Sequence, residues 1–189
     1  IEKTVLYPTF GLAYGKIHNR DRSVAVTRDY NDGLYNAYLK QDSRSHGMAI
    51  LPSNGLPLSL GAKYHWPLYA EAEQLGCALA VHGGCHDNTG LDQADPFAVT
   101  RGLGHAFTVS ASFGNILFAG VFDRFPTLRI AFLEAGAPWL LMAMERLEEG
   151  YETNIPLDPD QSYLRLEAEE DVADYILRQL KGGRLFVGT

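Results

Sequence analysis

Residues 76–84 read Gly76-Cys77-Ala78-Leu79-Ala80-Val81-His82-Gly83-Gly84, and residues 128–136 read Leu128-Arg129-Ile130-Ala131-Phe132-Leu133-Glu134-Ala135-Gly136. Each is a short, nearly continuous apolar run, the pattern of a strand covered on both faces. Each run ends on one chemically active side chain, His82 or Glu134, followed closely by glycine. Between and around them lie segments with helical spacing. Residues 64–75 (YHWPLYAEAEQL) carry Pro67 in the first turn and Gly76 as a stop, and residues 106–122 form a second apolar-periodic stretch closed by Phe125-Pro126. Residues 138–152 start on a proline, and residues 169–180 place Val172, Ile176 and Leu180 on one face behind an acidic first turn. Strands alternating with helices predict a parallel sheet with helical crossovers.

The same alternation extends to both ends. Residues 4–10 (TVLYPTF) are β-branched and aromatic. Tyr30, Leu34 and Tyr38 recur at helical spacing within a long polar stretch over 21–44. Residues 47–51 (GMAIL) predict a short buried strand, closed by the turn signal Pro52-Ser53-Asn54-Gly55. Residues 163–168 (YLRLEA) are strand-like, and residues 184–189 begin a last strand.

Composition narrows the function. The chain has 189 residues, 46% hydrophobic and 21% charged, with 9 Phe, 10 Tyr and 2 Trp, enough to bury a sizeable core. No apolar stretch approaches the roughly 20 residues that span a bilayer. The net charge of −7 and the lack of a basic cluster with interleaved aromatics argue against nucleic acid as a partner. From residue 145 to 175 eleven acidic residues face only Arg146 and Arg165, a pattern read as solvated helix faces. Cys77 and Cys85 lack a CxxC spacing and are expected to be reduced core thiols of a cytoplasmic protein. GxGxxG, P-loop, GxSxG and HExxH motifs are absent, which removes most support for nucleotide binding or serine hydrolysis.

In parallel α/β proteins the active site gathers at the C-terminal ends of the strands. His82 follows one strand and Glu134 another, Asn54 lies in the turn after a third, and Tyr14 follows the first. Imidazole and carboxylate are the ligands of catalytic metal sites and the common general acid–base pair. A buried carboxylate without a partner is costly, which favours a site role for Glu134 over a passive one. His86 and Asp87 sit on the loop after the His82 strand, where His86 is a candidate substrate contact. His105 is expected near a helix start, and His18, His46 and His65 at the surface or at helix caps.

Residues 67–84 resemble the fifth-strand region of the amidohydrolase-related family, which contains metal-dependent hydrolases and nonoxidative decarboxylases similar to aminocarboxymuconate-semialdehyde decarboxylase. Residues 120–136 (GVFDRFPTLRIAFLEAG) resemble its following helix and sixth strand, with Val121-Phe122-Asp123-Arg124-Phe125-Pro126 the most specific part. Residues 185–189 (LFVGT) resemble the start of its eighth strand, and residues 51–56 and 6–11 earlier strand ends. The resemblance covers nearly the whole chain. It implies an α/β fold, a (β/α)₈ TIM barrel of the amidohydrolase type, with a divalent metal ion, commonly zinc, at the C-terminal mouth. Ligands would come from a pair on the first strand, a His after the fifth and an Asp after the eighth.

His82 matches the fifth-strand metal ligand. Glu134 stands where many relatives carry a catalytic His. A glutamate serves as general base or metal ligand, but not as a cationic electrophile. The resemblance further implies that the barrel is incomplete in this chain. The first strand, a helical crossover at the 50–51 junction and the end of the last strand would be missing from what is otherwise one domain over 1–189. A complete barrel of this kind needs about 250 residues.

The expected function is a metal-dependent hydrolase of an amide, ester or related C–N or C–O bond in a small organic molecule. His82 would bind metal, Glu134 would be catalytic, and Asn54, Tyr14 and His86 would contact substrate. The alternatives are a metal-dependent nonoxidative decarboxylase of a small aromatic or unsaturated carboxylic acid, and a barrel that binds a ligand without catalysis. A doubly wound open sheet is the competing fold. The expected partners are a small-molecule substrate and a second copy in a homodimer, with no nucleic acid and no membrane.

Overall fold

The computed structural model describes residues 2–9, 11, 14, 17–51, 59–83, 89–154, 157 and 164–188. Its contacts divide the chain into two compact units, Ile1–Pro57 and Leu58–Thr189.

In the first unit, β1 (Thr4–Leu6) pairs in parallel with β2 (Ser45–Gly47), in the register Thr4↔Ser45 to Leu6↔Gly47. The crossover between them is α1 (Arg20–Leu34), which runs on into a π-helical turn at Tyr35–Leu39. Asn19 caps α1 by accepting from the Arg22 N–H at 2.9 Å. The strand predicted over 47–51 therefore lies earlier, at 45–47. The Met48 N–H still donates to the Leu6 carbonyl at 2.9 Å. Beyond it the Asn31 carboxamide takes both backbone groups of Ile50, each at 2.9 Å, so the chain leaves the ladder with its polar groups satisfied.

The second unit holds α2 (Trp66–Gln74), β3 (Ala78–His82), α3 (Phe97–Phe118), the short α4 (Val121–Arg124), β4 (Arg129–Leu133), α5 (Pro138–Asn154), α6 (Val172–Lys181) and β5 (Leu185–Val187). Its sheet is parallel throughout, in the order β3-β4-β5. Val109, Phe113, Ile116 and Leu117 bury one stripe of α3 at helical spacing. That stripe meets Ile130 and Phe132 of β4. The Phe113 ring stands edge-on to Phe132 at 5.2 Å and to Trp139 of α5 at 5.4 Å.

The segment Val121–Phe125 shows why this stretch is so specific in sequence. Val121, Phe122 and Phe125 are buried, while the Asp123 carboxylate accepts from the Tyr175 hydroxyl at 3.0 Å and from the Arg165 N–H at 2.8 Å. The Arg124 guanidinium lies 3.9 Å from the centre of the Trp66 ring. Burial, and next to it the Asp123 charge, push the Tyr175 hydroxyl well above its ordinary titration range.

Three expectations are corrected. Residues 164–167 form no strand, and β5 pairs directly with β4. The backbone donors there go to side chains instead: Arg165 to Asp123, and the Glu167 N–H to Glu170 at 2.8 Å. Cys77 is exposed rather than a core thiol, because β3 starts one residue later; Cys85 lies outside the described residues. The acidic run is more than a solvated face. Glu148 accepts from the Val172 N–H at 2.6 Å, Asp171 caps α6 through the Asp174 N–H, and Glu170 grips Arg178 at 2.7 and 2.8 Å.

The Arg178 guanidinium beside Glu170 holds that carboxyl below the usual carboxylate range. A carboxyl whose pKa is lowered by folding stabilises the native state above its unfolded value, and the contribution fades as pH falls through the folded value. Glu170→Gln is therefore expected to lower stability by about 1–2 kcal/mol at pH 7. The difference from wild type should shrink as urea titrations are repeated down through about pH 4, and a gap that widened on acidification would contradict the assignment.

Candidate metal centre at the strand ends

The register of β3 against β4 runs from Ala78↔Arg129 to His82↔Leu133. His82, the last residue of β3, thus ends level with the last residue of β4, and Glu134 follows immediately. Glu134 takes a left-handed backbone conformation, φ 60°, which turns the chain sharply off the strand. A side chain there is strained by about 1–2 kcal/mol relative to glycine, and such strain gathers at functional sites.

The turn brings Glu134 Oε2 to 3.1 Å from His82 Nε2. The contact lacks hydrogen-bond alignment, and the buried Nε2 has no hydrogen-bond partner among the described residues. The carboxylate itself is more than half exposed, at 56%. A buried nitrogen without a hydrogen bond, facing an open carboxylate across 3.1 Å, is an arrangement that can direct two ligand atoms toward one cation. Two ligand atoms bound at about 2.0–2.2 Å stand about 3.0–3.5 Å apart in an octahedral or tetrahedral shell. The pair fits that edge, so the residues present suit a divalent metal.

A third group completes the cluster. His105 Nε2 lies 3.9 Å from the same Glu134 oxygen, and its ring stands edge-on to His82 at 5.1 Å. The three candidate ligand atoms all fall within 4.8 Å of one another. Sequence reasoning set His105 aside as a residue near a helix start. The helix begins at Phe97, well before the predicted start at 106, so His105 sits deep within α3 with only 11% of its side chain exposed. One signal in the sequence pointed to it, the glycine after His82. A Cβ at Gly83 would come within 2.6 Å of Thr108 Oγ1 and 2.9 Å of both Cα and O of His105. Only glycine lets the end of β3 approach α3 this closely.

The other predicted residues separate. Tyr14 lies in the first unit, half-buried, with its ring edge-on to Tyr30 at 6.3 Å. Asn54, His86 and Asp87 lie outside the described residues. Among the described residues no helix is long and apolar enough to cross a membrane.

These features define a parallel α/β protein with a candidate divalent-metal centre at the C-terminal ends of adjacent strands. The sequence profile of the Amidohydrolase family matches residues 42–177, well over half the chain, and the chain belongs to that family. Solved structures share the fold at low identity. An amidohydrolase from Mycobacterium avium subsp. paratuberculosis K-10 matches with a TM-score of 0.74 at 18% identity, over 99% of this chain and 55% of that one. The 5-carboxyvanillate decarboxylase of Novosphingobium aromaticivorans DSM 12444, complexed with manganese and 4-hydroxy-3-methoxy-5-nitrobenzoic acid, matches at 0.70 and 17%, over 99% and 58%. The dihydroxybenzoic acid decarboxylase of Polaromonas sp. JS666, with bound manganese and 2-nitroresorcinol, matches at 0.66 and 18%, over 99% and 63%. The chain thus spans between 55% and 63% of the length of these proteins and shares their TIM-barrel-like α/β fold.

Three substitutions probe the construction. Glu134→Gly should raise the melting temperature, because it relieves about 1–2 kcal/mol of backbone strain while deleting the carboxylate. Gly83→Ala should lower stability by about 1–3 kcal/mol through the forced contact with His105. Gly102→Ala on the open side of α3, where a Cβ meets nothing within 4 Å, should instead raise it by about 0.5–1 kcal/mol. Thermal scans of the three variants check the signs.

Proposed function

We propose that the protein carrying this chain is a divalent-metal-dependent hydrolase of a small organic molecule, cleaving an amide, ester or related C–N or C–O bond. The observation that carries this is the approach of His82 Nε2, buried and without a hydrogen bond, to 3.1 Å from Glu134 Oε2, where two parallel strands end. His82 and one Glu134 oxygen would hold the ion, which when bound supplies Lewis-acid polarisation and acidifies water. The second oxygen of Glu134, whose side chain is more than half exposed, would accept the proton of the attacking water. Tyr14, Asn54 and His86 are the proposed substrate contacts. The setting is a (β/α)₈ barrel that is incomplete in this chain, one domain over 1–189 with a gap or deletion at 50–51, in a protein acting in the cytoplasm as a homodimer. Zinc is the proposed ion, with manganese the alternative that the solved relatives support.

The second reading is nonoxidative decarboxylation of a small aromatic or unsaturated carboxylic acid. It is favoured by the two decarboxylases of the same fold whose structures contain manganese. There the acid would be oriented by the same pair, and a protein group would return a proton to the carbon that loses carbon dioxide.

Metal analysis and product assays on the full-length protein separate these readings. About one ion per chain, lost in His82→Ala, supports a metalloenzyme, whereas less than about 0.2 per chain in both forms defeats it and leaves a ligand-binding barrel. With metal present, acid released from aryl esters or anilides supports hydrolysis, and carbon dioxide released from hydroxybenzoic acids supports the second reading. His82→Ala should lower either activity by at least about 100-fold.

A further inference from the structure

His105 stands beside the His82–Glu134 pair, and the question is whether it offers the site a lone pair or a proton. The answer lies one helical turn back. Arg101, four residues earlier on α3, brings its Nη1 to 3.1 Å from His105 Nδ1. A guanidinium has only donors and stays charged at any ordinary pH. Nδ1 must therefore be the acceptor, which leaves the proton of the neutral ring on Nε2. Nε2 is the nitrogen that faces the site, 3.9 Å from Glu134 Oε2. A nitrogen that carries a proton has no lone pair for a metal. Histidine ligands show the reverse arrangement, with the remote nitrogen donating to a carboxylate or carbonyl. The 3.1 Å from His82 to Glu134 matches the spacing of adjacent ligands on one ion, and the 3.9 Å from His105 is longer than that edge.

We propose that Arg101 and His105 form a hydrogen-bond-donor arm of the site. Arg101 is a positioning residue that fixes the tautomer, and His105 presents Nε2–H to an anionic or carbonyl oxygen of the substrate. The proposal rests on the reading of His82 and Glu134 as the metal pair and deepens it. Glu134 occupies a strand end where a histidine would supply an electrophile, and a carboxylate cannot do so. The helix supplies that missing donor from the side. The ligand class it selects is a small molecule with a carboxylate or polarised carbonyl oxygen within reach of both the metal pair and His105.

The test is long-range ¹H–¹⁵N NMR of the full-length protein at about pH 8, where a free imidazole is neutral. His105 is assigned by the signal lost in His105→Gln. The expected pattern is the Nε2–H tautomer in wild type and in Arg101→Lys, and a shift toward mixed tautomers in Arg101→Met. On titration with Zn²⁺, the His82 nitrogen signals should move while the His105 pattern keeps its Nε2 proton. Benzoate, added as a carboxylate probe to the zinc-loaded protein, should shift the His105 Nε2–H signal and bind several-fold more weakly to Arg101→Met. An Nδ1–H tautomer in wild type, a tautomer unchanged in Arg101→Met, or zinc shifts at His105 Nε2 equal to those at His82 would each overturn the donor arm. Zinc that moves no His82 signal would overturn the metal pair instead, and the tautomer of His105 would still be read independently.

Discussion

The parallel pairing of β3 with β4 is the constraint on which the site depends. Five paired positions, from Ala78↔Arg129 to His82↔Leu133, bring the two strand ends level. Ile130 and Phe132 of β4 are wholly buried, and a slip of one residue would turn both out of the core. The aromatic cluster of Phe113, Phe132 and Trp139 therefore sets the register, and the register sets how far Glu134 stands from His82. Packing in the hydrophobic interior decides a polar distance at the mouth.

Around that pairing, several polar contacts tie the second unit together. Arg184 donates to the Phe122 and Pro126 carbonyls at 2.7 and 2.9 Å, and Glu73 accepts from both the N–H and the hydroxyl of Thr127 at 2.7 and 3.0 Å. Three unusual features meet at the strand ends. Glu134 carries a left-handed backbone, His82 keeps a buried nitrogen without a hydrogen bond, and Gly83 lies too close to α3 for any side chain. Local rules are broken together at one place, which is where a functional site is expected to break them.

Much of this was legible in the chain itself. Alternating apolar runs and helical stretches announced a parallel sheet, and the rule of strand ends picked out His82 and Glu134 without any coordinates. The errors have physical causes. GMAIL is apolar enough for a strand, but the Asn31 side chain claims the backbone of Ile50. YLRLEA alternates like a strand, but Asp123 and Glu170, distant or adjacent in sequence, take its N–H groups. His105 was missed because the first turns of α3 lack a clear start signal: Pro96 at the cap offers no side-chain acceptor.

By itself the sequence determined the alternation of strands and helices, the parallel sheet and the residue types that stand at two strand ends, because periodicity and residue type are local properties. The tertiary structure decided which groups face one another. A helix drawn against β3 at a glycine brought in His105, and a positive φ aimed Glu134 at His82. Those are distances between residues far apart in the chain. They follow from packing and register, which no local pattern encodes.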